Sequence, residues 1–224
     1  MSPSSLIKRI AELNIEWIAI TDHNSLANCP AYAEVAEQRG IAFTYGVEIQ
    51  TAEEIHLLAY FDDRAAAMKF DRLLYSALPA IENDADFFGD QVVIDAAENI
   101  IRIETKALSN SVMWSLEETV EQVSAYAGIC VPAHVDAAVN SILGQLGFLP
   151  AFSEFPLLGI TSGLILDDYL KQHPDLAGHA FLRASDAHYL SDLGCGSSRI
   201  TVNAPTAAEL MMAARKLDNR MITI

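Results

Sequence analysis

Apolar positions along this chain switch repeatedly between helical and strand spacing. Ser2-Pro3 is a favourable cap and first-turn pair for a helix running to about Asn14, and residues 15–20 then form an apolar strand. A second helix is expected over residues 31–39, stopped by Gly40, with strands following at 41–45, 46–50 and 55–61. The last two are joined through residues 51–54, a span short enough for a hairpin turn. An amphipathic helix is expected over 64–78, and 91–94 with 100–103 pattern as a hairpin inserted on the scaffold. Ser115 and Glu118 form a capping box opening a helix that ends at Gly128. Beyond it come a strand at 129–135, a helical stretch at 137–146, and strands at 157–161, 181–184 and 199–202. Thr206 and Glu209 cap a last helix before a final strand at 221–224. No repeat, low-complexity tract or linker interrupts the pattern, so residues 1–224 are read as one domain, and the βα alternation favours a parallel barrel over a sandwich.

Polar residues break this pattern at particular places. Four of the six histidines fall at or beside predicted strand ends: His23, His56, His134 and His188, with Glu48 at the end of another strand. The C-terminal strand ends of a parallel barrel converge on one face, where these side chains would meet. A lone histidine at a strand end is ordinarily a packed or hydrogen-bonded residue, and a lone strand glutamate ordinarily faces water. Five such coincidences in otherwise buried runs point instead to a metal site, because an unpaired charge there costs several kcal/mol. Imidazoles and carboxylates without cysteine suit zinc, iron or manganese.

The segments 18–25 (Ile-Ala-Ile-Thr-Asp-His-Asn-Ser), 46–51 (Gly-Val-Glu-Ile-Gln-Thr), 54–61 (Glu-Ile-His-Leu-Leu-Ala-Tyr-Phe), 132–136 (Pro-Ala-His-Val-Asp) and 184–188 (Ala-Ser-Asp-Ala-His) resemble, in order, the motifs of the PHP (polymerase and histidinol phosphatase) family. Residues 141–148 further resemble a stand-alone bacterial subgroup. The resemblance implies a distorted (β/α)7 TIM-like barrel holding up to three divalent metal ions and hydrolysing the phosphate ester of a small phosphorylated substrate. It implies Glu48 bridging two ions, with His56 and His134 on one and Asp186 on the other, and His23 and His188 on a third. Asp22 would orient a ligand or water, and Asp22 and His188 would take part in catalysis. Family members begin with a strand bearing His-x-His, and this chain begins just after that point. The resemblance therefore implies fewer ions here, an open seam beside residues 15–20 that exposes Trp17, and a homodimer that covers it. A domain of this family that binds metal without turnover is the rival expectation.

The remaining residues add less. Arg183 and Arg64 are candidate phosphate contacts, where the subgroup's arginine is replaced by Ala137. Glu53 reads as a solvated turn residue, His173 and His179 as loop residues, and Gly194–Ser198 as a chain turn. Thirty acidic against fourteen basic residues give a formal charge of -16, from which no nucleic-acid partner is expected. No apolar run reaches the ~18 residues of a membrane span. Three cysteines without CxxC spacing fit a reduced, cytoplasmic setting.

Overall fold

The computed structural model describes residues 1–152 and 154–224. Helix α1 (Pro3–Glu12) carries proline in its first turn and buries Leu6, Ile7 and Ile10 along one face. It stops short of Asn14, whose φ of 55° leaves the right-handed helical region. Strand β1 (Trp17–Ile20), helix α2 (Cys29–Glu37) and strand β2 (Ala42–Gln50) form a βαβ unit, with Trp17 opposite Ala42 and Ile20 opposite Tyr45 in parallel register. One continuous β2 replaces the two strands suggested by the pattern. Gly46 lies inside it because a Cβ there would meet the Thr21 methyl at 2.8 Å and the Ile20 carbonyl at 2.9 Å.

The chain then reverses, and β3 (His56–Phe61) runs antiparallel to β2 with His56 opposite Gln50. Asp63 caps α3 (Arg64–Ala77) by accepting the Ala66 N–H at 2.7 Å. Helix α4 (Ala85–Phe88) precedes the expected hairpin, β4 (Val92–Ile94) and β5 (Ile100–Ile103). The capping box of Ser115 and Glu118 opens α5 (Leu116–Ala125) as expected. Glu53 is not a solvated turn residue, since its carboxylate accepts the Leu116 N–H at 2.9 Å and ties the 51–55 turn to that helix. Strand β6 (Ile129–Pro132) pairs antiparallel with β3, Leu57 opposite Pro132. Helix α6 (Ile142–Leu146) is shorter than its pattern, because residues 137–140 turn so that the Asn140 carbonyl accepts the His56 N–H at 2.8 Å. Strand β7 (Leu157–Ile160), helix α7 (Leu166–Gln172), a 3-10 turn at Pro174–Gly178 and strand β8 (Ala180–Arg183) make a second parallel unit. Strand β9 (Arg199–Thr201), helix α8 (Ala207–Ala214) and strand β10 (Met221–Thr223) follow, with β9 and β10 antiparallel.

Among the described residues the strands form a four-stranded sheet of order β1-β2-β3-β6 and three separate pairs, β4–β5, β7–β8 and β9–β10. The fold is mixed α/β, but no continuous ladder closes a parallel barrel among the described residues. The reason is local: the 51–55 turn is far shorter than the crossover of a dozen or more residues that a parallel pair needs, so β3 must return antiparallel. Side chains from several strands nonetheless share one core, in which Tyr60, Val131 and Leu157 pack with Trp17, Leu182 and Ile222. Trp17 is half-buried there rather than exposed, and its indole N–H donates to Thr44 Oγ1 at 2.7 Å. No helix among the described residues is long and apolar enough to cross a membrane.

Candidate metal centre

The reversal of β3 decides where the site forms. His56 is the first residue of its strand, not a C-terminal end as its pattern suggested. Because β3 runs against β1, β2 and β6, its beginning lies at the edge where those strands finish. Beyond β1, two backbone hydrogen bonds extend the ladder: Glu48 N–H to Asp22 O at 3.2 Å and Asn24 N–H to Glu48 O at 2.9 Å. They set His23 beside Glu48. His134 lies just past β6 with a φ of 29°, a left-handed conformation unfavourable for a non-glycine residue and held by its surroundings. Among these, the Val135 N–H donates to Gly159 O at 2.8 Å, and Asp136 accepts the Thr161 N–H at 2.9 Å.

Four side chains converge as a result. Glu48 Oε2 lies 3.4 Å from His23 Nδ1, and Glu48 Oε1 lies 3.3 Å from His56 Nδ1 and 3.5 Å from His134 Nε2. His56 Nδ1 and His134 Nε2 are 3.1 Å apart. Ligand atoms about 2.1 Å from a tetrahedral ion stand about 3.4 Å from one another, which these separations approach. His23, Glu48 and His56 present ligand atoms within 4.8 Å of each other. Nδ1 of His23, which faces Glu48, is buried without a hydrogen-bond partner, a costly state that a bound cation or water relieves. The donor set and its spacing fit a divalent ion.

The charges are interdependent. Burial opposes ionisation of Glu48, but the His134 and His56 imidazoles beside it outweigh that cost and hold the carboxyl far below the ordinary carboxylate range. Burial lowers the basicity of His23, which the Glu48 charge only partly offsets. Burial also works against protonated His134, yet Glu48 prevails and raises it. Asp22 is exposed, but crowding by surrounding protein raises its carboxyl above the usual value despite a 3.3 Å hydrogen bond from Asn28 Nδ2.

The structure does not gather the other expected residues into this cluster. Asp186 and His188 are exposed on the loop after β8, Asp186 with a φ of 46°, near enough for their charges to act on His23. Arg183 turns one guanidinium nitrogen to Leu164 O at 2.6 Å, while its Nε is buried without a partner. Arg64 follows the far end of β3, about 17 Å of strand from His56. The Gly194 N–H is spent on Ser185 Oγ at 2.9 Å, consistent with a chain turn. His173 stacks on Tyr169, and His179 Nδ1 meets Phe155 O at 2.7 Å.

Sequence reasoning overlooked Asn24 and Gln50. Asn24 is fully buried at a φ of 48°, donates to Leu108 O and Asn110 O, and accepts the Gln50 N–H at 3.1 Å. Strand alternation was the available signal for Gln50, since it places Gln50 on the same face of β2 as Glu48.

The sequence profile of the PHP domain matches residues 1–143. The chain belongs to the PHP domain family. An error-prone DNA polymerase from Rhodopirellula baltica is 32% identical over 72 residues, which make up 32% of this chain and 6% of the polymerase. In structure, the PHP chain is similar to the lesion-specific endonuclease PfuEndoQ from Pyrococcus furiosus, with a TM-score of 0.71 at 15% identity over 99% of this chain and 53% of that one. A complex of Endonuclease Q with a 27-mer duplex carrying an abasic lesion at the active site gives a TM-score of 0.67 at 15% identity, with the same coverage. The chain thus spans about half the length of these endonucleases and a small fraction of the polymerase. The expectation of no nucleic-acid partner is corrected by the duplex complex: Endonuclease Q, about half of which shares this fold, binds DNA. Net charge averages over the whole surface and so does not exclude such a partner.

Proposed function

We propose that this PHP domain is a metal-dependent phosphoesterase. The observation that carries the reading is the convergence of His23, Glu48, His56 and His134 at separations of 3.1–3.5 Å. In this reading those four side chains hold zinc, manganese or iron, and Glu48, whose two oxygens face different histidines, is placed to be shared between ions. A bound divalent ion supplies positive charge to phosphate oxygens and acidifies water at neutral pH. Asp186 and His188 contribute further donors from the β8 loop. Asp22, adjacent to His23, holds a proton or orients a water at its carboxylate, with Asn28 fixing its angle. Arg183, on β8, is assigned to the substrate's phosphate.

A nucleic-acid phosphodiester is a second reading of the substrate, favoured by the structural likeness to Endonuclease Q. The test is turnover by chelator-stripped protein reloaded with Mn2+ or Zn2+. Substrates are p-nitrophenyl phosphate, bis-p-nitrophenyl phosphate and a duplex with one abasic site. Metal-restored hydrolysis that disappears in Glu48→Gln supports the proposal, and the preferred substrate distinguishes monoester from nucleic acid. Metal binding without turnover of any of the three supports the rival domain that binds without hydrolysis.

A further inference from the structure

We infer that Gln50, braced by Ser111, is the positioning residue that fixes which nitrogen of His56 faces the metal centre. The inference rests on the metal reading above and concerns residues outside the ligand set.

Neutral imidazole carries one ring proton, so a histidine ligates through one nitrogen only if the proton resides on the other. His56 has a distinct environment at each. Its Nδ1 faces Glu48 Oε1 at 3.3 Å and His134 Nε2 at 3.1 Å, and its Nε2 lies 3.3 Å from Gln50 Oε1. An amide oxygen only accepts, so this contact selects the Nε2–H form and leaves the Nδ1 lone pair toward the cluster. Without it, the Glu48 carboxylate draws the ring proton to Nδ1, the atom an ion needs bare.

Gln50 is fitted for this work by its place in the ladder. It stands directly opposite His56 in the β2–β3 register, on the face of β2 that also carries Glu48. Its backbone is held on both sides, the N–H by Asn24 Oδ1 at 3.1 Å and the carbonyl by the Val112 N–H at 2.8 Å. Its side-chain Nε2 then donates to Ser111 Oγ at 3.1 Å, which turns the amide oxygen toward His56. Outer partners of ligating histidines typically change metal affinity by ~10–100-fold when removed.

The test compares Zn2+ affinity, by competition with a chromophoric chelator, in parent, Gln50→Leu and Gln50→Glu, alongside long-range 1H–15N spectra of the metal-free imidazoles. Gln50→Leu is expected to weaken zinc by ~10–100-fold and to shift His56 from the Nε2–H toward the Nδ1–H form. Gln50→Glu, which keeps an accepting oxygen, retains parental affinity and tautomer. A Gln50→Leu variant within threefold of the parent, or Gln50→Glu failing as badly as Gln50→Leu, overturns the role. A parent that binds no zinc overturns the metal reading with it. Neither measurement depends on turnover, so an inactive but metal-binding protein still decides whether Gln50 holds the tautomer.

Discussion

The two sides of the candidate site are built differently. Glu48 and His56 each retain only 7% exposure and are set by strand pairing, in a ladder that runs from the residues after β1 through β2, β3 and β6. Asp186 and His188 are exposed on a loop that no strand ladder supports among the described residues. That loop is braced by side chains instead: Asp192 accepts the His188 and Tyr189 N–H groups at 3.1 and 2.8 Å, and Ser185 donates to Gly196 O at 2.9 Å. A ladder fixes ligand geometry before anything binds, whereas a side-chain-braced loop leaves it adjustable. Affinity for an ion is therefore expected to arise on the ladder side, and Asp186 and His188 to matter chiefly for turnover.

The largest effect is expected from Glu48→Ala, which removes the carboxylate common to three histidines. It should weaken zinc by more than the ~100-fold typical of an outer partner, and abolish metal-restored hydrolysis. Chelator competition and turnover measure both. Asp186→Asn separates the two sides: hydrolysis should fall by ~10–100-fold while affinity for the first ion stays within about threefold. Equal loss of affinity in Asp186→Asn and Glu48→Ala would erase the distinction.

Asp136 ties the segment after β6 to β7, because its carboxylate takes both the backbone N–H and the hydroxyl of Thr161 just beyond β7. Asp136→Ala should cost about 1–3 kcal/mol in chemical denaturation by leaving partly buried donors unpaired. An unchanged midpoint would show that the junction contributes nothing.

The smallest effect is a pH control belonging to neither side. Arg220 grips Glu209 at 2.6 and 2.7 Å and lowers its carboxyl to about 2. A depressed folded value means the contribution is complete above the ordinary carboxylate value of about 4 and is lost as pH falls toward 2. Acid denaturation of Glu209→Gln should therefore be less steep than the parent between those limits, and parallel curves would refute the clamp.

Much of the ladder side was legible in the sequence. The 51–54 turn signalled the reversal, and Glu48, His56 and His134 interrupt apolar runs where burial needs a partner. The direction of β3 was misread because alternation of strands and helices does not report strand direction, and one tight turn reverses it. His23 was assigned with His188, yet its backbone bridges Glu48, a pairing that depends on hydrogen bonds beyond the last residue of β1. Gln50 and Asn24 escaped notice because amides carry no charge and become informative only once their partners are known. The role of Glu53 depended on where α5 begins in space, 63 residues later.

Zinc K-edge X-ray absorption on the stoichiometrically loaded protein, parent beside His56→Ala, reads the ligand shell of the metal centre itself. A nitrogen and oxygen shell is expected at about 2.0–2.1 Å with at least two imidazoles and no sulfur, losing one imidazole in the variant. A sulfur shell near 2.3 Å from the cysteines, or a spectrum unchanged by His56→Ala, would contradict a centre built on Glu48 and its histidines.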